Sequence, residues 1–132
     1  MAESNRKALL NCDIERVWKT ITSLDDYKWR SDIDRIEVVD GDTFVEYDKE
    51  GIATTFKITV FEPFNRYEMD IENENMSGHF VGRLVDMKGQ TAVDFTEEVN
   101  AKKLVMKPFV KMYLKKQQEQ YIYDLRKELE MK

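Results

Sequence analysis

Three polar side chains near the C-terminus lie where the surrounding pattern predicts the interior of the protein. Tyr113, Gln117 and Tyr121 recur one helical turn apart within a long helical pattern. Buried hydroxyl and amide groups need hydrogen-bond partners, which a ligand or a cavity water supplies where an apolar core does not. The spacing therefore favours a binding cavity beside this helix, while bonds to backbone or solvent are the alternative for tyrosines near a helix end.

Glu97 is the best candidate for acid–base chemistry. It shares a strand face with Val93, Phe95 and Val99 if that strand has no bulge, and its carboxylate then points inward. Burial raises the pKa of a carboxylic acid and suits it to proton transfer. A register shift, or an ion pair with Arg83 or a lysine, would make the residue structural, and we favour that interpretation.

Other reactive side chains predict neither a metal site nor a nucleophile. His79 is the sole histidine, and strand alternation places it opposite Phe80 on the outer face. Cys12 is the sole cysteine, so no internal disulfide forms, and no zinc, nucleotide-phosphate or serine-nucleophile motif is present. We therefore predict no metal and no cofactor. An acidic cluster near Trp29 lacks calcium-loop spacing and is interpreted as solvated caps; it comprises Asp25, Asp26, Asp32 and Asp34.

The elements that must position these groups follow the order strand, two helices, six strands and long helix. Ser4 to Cys12 predicts the first strand, Asp13 caps a helix with a 3.6-residue apolar period, and Leu24 to Ser31 predicts a short second helix. A period of two then predicts a hairpin about Asp40–Gly41 and the strands Ile52 to Phe61, Arg66 to Asn73, Met76 to Asp86 and Thr91 to Val99. Gly78 and Gly82, on the face of Phe80, predict sharp curvature or a close approach by the helix.

The last element is a helix from about Ala101 to near Met131, in which Pro108 predicts a kink or a boundary. Its buried stripe is predicted to contain Met106, Val110, Leu114, Tyr121 and Leu125, with Tyr113, Ile122 and Leu129 near the edges. The six lysines between Lys102 and Lys116 are interpreted as its solvated face. A long helix against many strands excludes a doubly wound parallel fold and predicts an α+β class.

Length and charge limit the classes of function. The chain has 132 residues, which predicts a single domain over residues 1–132, and its 42% hydrophobic content supports a core. A net charge of -5 disfavours nucleic acid as a partner. No apolar run spans a membrane and Met1 to Lys7 lacks a signal-peptide core, so we expect a cytoplasmic protein without stable membrane insertion.

Two motifs carry a resemblance to a known superfamily. The segment Asp13 to Trp18 (DIERVW), followed by Tyr27 to Trp29 (YKW), resembles the START-like or Bet v 1-like helix-grip superfamily, also called SRPBCC, including its polyketide cyclase/dehydrase-like branch. Ser31 stands where that family often has a proline. The resemblance extends through Phe95 to Glu98 and the final helix. It implies a helix-grip fold, in which a curved antiparallel sheet of about seven strands wraps a long C-terminal helix.

The resemblance also implies a range of functions, since such proteins bind lipids, sterols or polyketides, assist chaperones or catalyse cyclisation. Our first hypothesis is a non-enzymatic domain that binds a small hydrophobic ligand between sheet and helix. The predicted lining is Trp18, Trp29, Phe56, Ile58, Met69, Phe80, Phe95, Tyr113, Gln117 and Tyr121. Two alternatives stay open: a cyclase or dehydratase using Glu97, Tyr113 and Tyr121, and a chaperone-activator-like domain that binds a protein partner.

Overall fold

A seven-stranded antiparallel sheet forms the larger part of the molecule, for which the computed structural model describes residues 1–131. The strands are β1 (Ala2–Leu10), β2 (Ile33–Val38), β3 (Thr43–Asp48), β4 (Ala53–Glu62), β5 (Arg66–Glu72), β6 (Met76–Asp86) and β7 (Thr91–Ala101). Their order across the sheet is β1-β7-β6-β5-β4-β3-β2. The first strand therefore pairs with the last, and the predicted α+β helix-grip fold is confirmed.

Alternation along the strands gives the sheet one buried and one solvated face. Tyr67, Met69 and Ile71 on β5 are buried, whereas Asp70 and Glu72 are exposed. The register shifts between Ile58 and Val60, where β4 pairs with β5. Such an irregularity bends a strand locally and increases its twist. The helices pack against the buried face of the sheet.

Helix α1 (Ile14–Thr22) begins as predicted at Asp13, whose carboxylate accepts a hydrogen bond from the Arg16 amide at 2.9 Å. The Arg16 guanidinium reaches the C-terminal end of the long helix and donates to the carbonyl oxygens of Glu128 and Leu129, at 3.1 and 2.9 Å. Carbonyls at a helix C-terminus carry partial negative charge and lack partners within the helix. This contact joins the two helices.

The prediction of a second short helix over Leu24 to Ser31 is wrong, because bends, a turn and residues without regular secondary structure occupy this segment. An eight-residue pattern is too short to form a stable helix without tertiary support. Here the tertiary contacts favour another conformation: the Ser31 amide and hydroxyl both donate to Asp124 Oδ2 at 2.8 Å. The segment is thereby held against the long helix.

The long helix α2 (Val110–Glu130) follows a 3₁₀ segment, Leu104–Phe109, that contains Pro108, so the predicted boundary is confirmed. Proline lacks an amide hydrogen and fits poorly inside a continuous α-helix. Met106 is 41% exposed, so its predicted place on the buried stripe is wrong. It precedes the boundary, and the 3₁₀ segment does not continue the phase of the helix. No helix in residues 1–131 is long and apolar enough to span a membrane.

Candidate functional site

A cavity of about 150 Å³ lies between the buried face of the sheet, α2 and the turn segment that precedes β2. Its walls are mainly apolar and aromatic, with Phe44 and Phe56 stacked face to face at 5.1 Å between ring centroids. This volume is close to that of an engineered cavity that binds benzene. It is smaller than the roughly 300–1,000 Å³ of sites for drug-sized ligands. A single-ring molecule therefore fits the space.

Most of the residues predicted to surround a ligand line this cavity. The eight that do are Trp29, Phe56, Met69, Phe80, Phe95, Tyr113, Gln117 and Tyr121. Trp18 and Ile58 lie in the neighbouring core, outside the lining. Trp18 packs against Phe61, Phe64 and Tyr67 in edge contacts at 5.3 to 6.4 Å between ring centroids. The prediction that Trp18 and Ile58 line the cavity is therefore wrong. Ligand contact by the other eight residues stays a prediction.

Glu97 reaches the cavity because the strand register is continuous around it. Met69, Phe80 and Glu97 are direct partners across β5, β6 and β7, and all three line the cavity. Side chains on β6 alternate between the two faces of the sheet, and Phe80 faces the cavity. Arg83, three residues further along, is therefore on the outer face, where it pairs with Asp94 of β7. The register shift and the ion pair with Arg83 that we favoured are therefore absent. Within residues 1–131, the Glu97 carboxylate has no hydrogen-bond or ion-pair partner.

Burial raises the pKa of Glu97 to about 7, repulsion from Glu46 adds to the rise, and attraction from Arg30 opposes it. A carboxyl group with this pKa exchanges its proton near neutral pH. Burial also raises the pKa of the hydroxyls of Tyr67 and Tyr121 above the usual range, so both stay protonated. The cavity wall thus carries hydroxyl donors and one acid that titrates near neutrality.

A buried ion-pair network that the sequence did not reveal forms another part of the wall. Arg30 donates to both oxygens of Glu46, from Nη1 at 2.7 Å and from Nη2 at 3.2 Å. It also donates to both oxygens of Asp32, from Nε at 3.2 Å and from Nη2 at 2.8 Å. The guanidinium carbon lies 5.2 Å from the centroid of the Tyr121 ring. Arg30, Asp32 and Glu46 all line the cavity.

Comparison with known proteins shows a family match over nearly the whole chain. The family described as "Polyketide cyclase / dehydrase and lipid transport" matches residues 1–130. The chain belongs to this family. The predicted resemblance to the superfamily is thereby confirmed. The family description covers both catalysis and transport, so family membership alone does not choose between an enzyme and a carrier. No curated protein gives a significant match.

Solved structures with the same fold have diverse descriptions. A START superfamily protein from Mycobacterium smegmatis has a TM-score of 0.86 at 13% identity, with 99% of each chain covered. The Aha1 dimer from Colwellia psychrerythraea has a TM-score of 0.73 at 17% identity, with 98% of this chain and 96% of that chain covered. The di-domain ARO/CYC protein BexL from the BE-7585A biosynthetic pathway has a TM-score of 0.81 at 9% identity, covering 96% of this chain and 45% of that chain. At these identities the likeness shows the fold alone.

Two adjacent glutamines on α2 differ in burial and in hydrogen bonding. Gln117 is exposed and lies at the cavity edge, where its Nε2 donates to the Tyr113 hydroxyl at 2.7 Å. Gln118 is buried, accepts from Ser4 Oγ at 2.7 Å, and donates to the carbonyl oxygens of Ser4 and Phe95 at 3.0 and 3.3 Å. The sequence pattern predicted Gln117, not Gln118, on the inward face. The missed signal is that Gln118 follows the buried Leu114 by four residues, about one helical turn.

The remaining polar candidates lie away from the cavity, with one exception. His79 is on the outer face as predicted, with Nε2 2.8 Å from Glu68 Oε1 and Nδ1 2.7 Å from Asp70 Oδ1. Within residues 1–131, no group of three or more His, Cys, Asp or Glu side chains could hold a metal ion. Asp32, interpreted as a solvated cap, is the exception, because its carboxylate pairs with Arg30 at the cavity wall.

Proposed function

We propose that this protein is a non-enzymatic binding domain that holds one small hydrophobic molecule in its internal cavity. The observation that carries the proposal is a mainly apolar cavity whose wall includes polar groups with no hydrogen-bond partner within residues 1–131, namely Glu97 and the hydroxyls of Tyr67 and Tyr121. A polar group that faces a cavity takes its hydrogen bond from a ligand or from water. A ligand with an apolar body and one polar group would satisfy both features of this wall.

The size of the cavity supports a ligand with about one ring. Apolar burial at about 25 cal/mol per Å² gives such a molecule a few kcal/mol of binding free energy, and the polar groups fix its orientation. Among the lipid, sterol and polyketide-like molecules that the family resemblance implies, the volume favours compact ones. A full sterol requires the walls to move apart.

The two tryptophans provide a direct test, because Trp29 lines the cavity and Trp18 does not. In Trp18→Phe, where Trp29 is the sole tryptophan, addition of benzyl alcohol should shift the fluorescence emission to the blue and then saturate. The reason is that the ring of the probe displaces water from the indole face of Trp29. The measurement is an emission titration with this neutral, ring-sized probe.

The matched control is Trp29→Phe, in which Trp18 is the sole tryptophan and reports from the neighbouring core. Its emission should stay constant over the same titration. Equal responses from the two variants, or none from either, would contradict binding in this cavity. Circular dichroism of both variants checks that each retains the fold.

A cyclase- or dehydratase-like enzyme is the second candidate, and the position of Glu97 favours it. Its carboxyl group lies in the cavity with a pKa raised by burial to about 7. Aldol-type ring closure begins when a base removes a proton next to a carbonyl group, and a carboxylate of this pKa is suited to that step. The hydroxyl of Tyr121 would then donate to the developing enolate oxygen.

Proton exchange tests this second candidate without knowledge of the natural substrate. In deuterated water the protein should accelerate hydrogen–deuterium exchange of the acetophenone methyl group, with a rate that rises as pH increases through about 7. The rate rises in this direction because only the ionised carboxylate accepts a proton. Glu97→Gln should reduce the protein-dependent rate by about 10²-fold or more. The measurement is proton NMR.

The control for this exchange is Glu98→Gln, which changes an exposed neighbour on the other face of β7 and should keep the full rate. Exchange at the buffer rate, or an unchanged rate in Glu97→Gln, would rule out Glu97 as the base. The third hypothesis, a partner-binding domain with a filled interior, receives less support, since the interior contains a cavity.

A further inference from the structure

The charges on the cavity wall are strongly unbalanced. Among the residues that the structure describes, four carboxylates line the cavity, Asp32, Glu46, Asp48 and Glu97, whereas Arg30 is the sole lysine or arginine in the lining. Asp48 also accepts hydrogen bonds from the backbone amides of Glu50 and Ile52 at 2.9 Å. In a space of low polarity this excess of negative charge repels an anionic ligand and attracts a cationic one.

Arg30 is not available to neutralise an incoming anion. Its three nitrogens all donate to Asp32 or Glu46, and its side chain is 14% exposed. Two carboxylates against one guanidinium leave this network with a negative charge. A fatty acid or another carboxylate would have to displace one of these buried ion pairs, which is unfavourable. The cavity therefore selects against the anionic amphiphiles that an arginine in a binding site usually indicates.

Two polar groups of the cavity wall have no hydrogen-bond partner within residues 1–131, and their chemistry indicates which ligand group could bind there. Tyr67 is 3% exposed, lines the cavity, and has no hydrogen-bond partner for its hydroxyl within residues 1–131. Glu46 lies on the same wall as Tyr67. Glu97 is the second such group, and its carboxylate accepts hydrogen bonds when ionised.

We propose that the cavity takes a ring-sized hydrophobic molecule bearing an ammonium group, with Glu97 as its counter-ion, a proposal that rests on the binding function proposed above. The aromatic rings beside Glu97 suit a cation, since ammonium groups are attracted to ring faces. Phe80 is the direct strand partner of Glu97, and Phe95 and Tyr121 meet edge to face at 5.7 Å. An ammonium group would also stabilise the ionised form of Glu97, which burial disfavours.

Three probes with one carbon skeleton test this proposal: benzylamine, benzyl alcohol and benzoate. Each is titrated near pH 7 into isotopically labelled protein, and dissociation constants are obtained from amide chemical-shift changes at cavity residues. An alkylammonium group resembles that of lysine, with a pKa of about 10.4, so benzylamine carries its charge at this pH. Benzylamine should bind at least about tenfold more tightly than benzoate, a difference of about 1.4 kcal/mol.

The variant Glu97→Gln keeps the shape of the side chain and removes its charge. It should weaken benzylamine about tenfold and weaken the uncharged benzyl alcohol much less, while Glu98→Gln should change neither constant. Benzoate binding as tightly as benzylamine, or an unchanged benzylamine constant in Glu97→Gln, would overturn the ammonium proposal. If benzyl alcohol still binds in that case, the binding function itself stands. If none of the three probes binds, both proposals fail.

Discussion

Replacing Arg30 by methionine should lower the free energy of unfolding by about 3–5 kcal/mol, the range found when one partner of a buried ion pair is removed. The substitution leaves Glu46 and Asp32 facing each other with side chains that are 13% and 28% exposed. Burial lowers the pKa of Arg30, but attraction from Glu46 and then Asp32 outweighs it and raises the pKa. The guanidinium thus stays charged, and the measurement is urea denaturation followed by circular dichroism.

A matched surface arginine gives the control. Arg35 lies 3.7 Å from Glu37 in a pair whose side chains are 47% and 51% exposed, so Arg35→Met should change stability by less than about 1 kcal/mol. Removing all three buried charges together, with Asp32→Asn and Glu46→Gln added to Arg30→Met, should recover much of the loss. Equal small effects of Arg30→Met and Arg35→Met would show that the network does not stabilise the fold.

Gly78→Ala should be the other strongly destabilising substitution, with a loss of about 3 kcal/mol or more. A Cβ atom at this position would lie 2.2 Å from the Glu98 carbonyl oxygen and 2.5 Å from Val99 Cγ1. The oxygen belongs to the backbone of β7, so β6 and β7 would have to separate. We expect a lower midpoint in thermal and urea unfolding.

Gly41→Ala is the control for this steric effect, because it adds the same methyl group at a glycine with free space around it. A Cβ atom at Gly41 meets nothing within 4 Å, so the substitution should leave the midpoint within a few degrees of the wild-type value. A Gly78→Ala variant as stable as Gly41→Ala would show that the strands accommodate a methyl group there. The sequence predicted sharp curvature or a close approach by the helix at Gly78. The close approach is instead made by the neighbouring strand β7.

Local patterns in the sequence determined the elements of the fold and the faces they bury. The period of two predicted β6 at its observed bounds, Met76–Asp86, and Asp13 and Pro108 predicted the start of α1 and the boundary before α2. These signals depend on neighbours within a few residues, because backbone geometry sets the direction of each side chain. The same alternation placed Glu97 on the face of Phe95, which faces the cavity.

Only the tertiary structure decided which charged groups meet. Arg30 and Glu46 are sixteen residues apart and come together because the turn segment before β2 folds over β3. The sequence shows their charges but not the distance between them, and electrostatic energy depends on that distance and on burial. For the same reason the lack of a direct ion-pair partner for Glu97 within residues 1–131, and with it the raised pKa, follows from the cavity around it and not from its place in the strand.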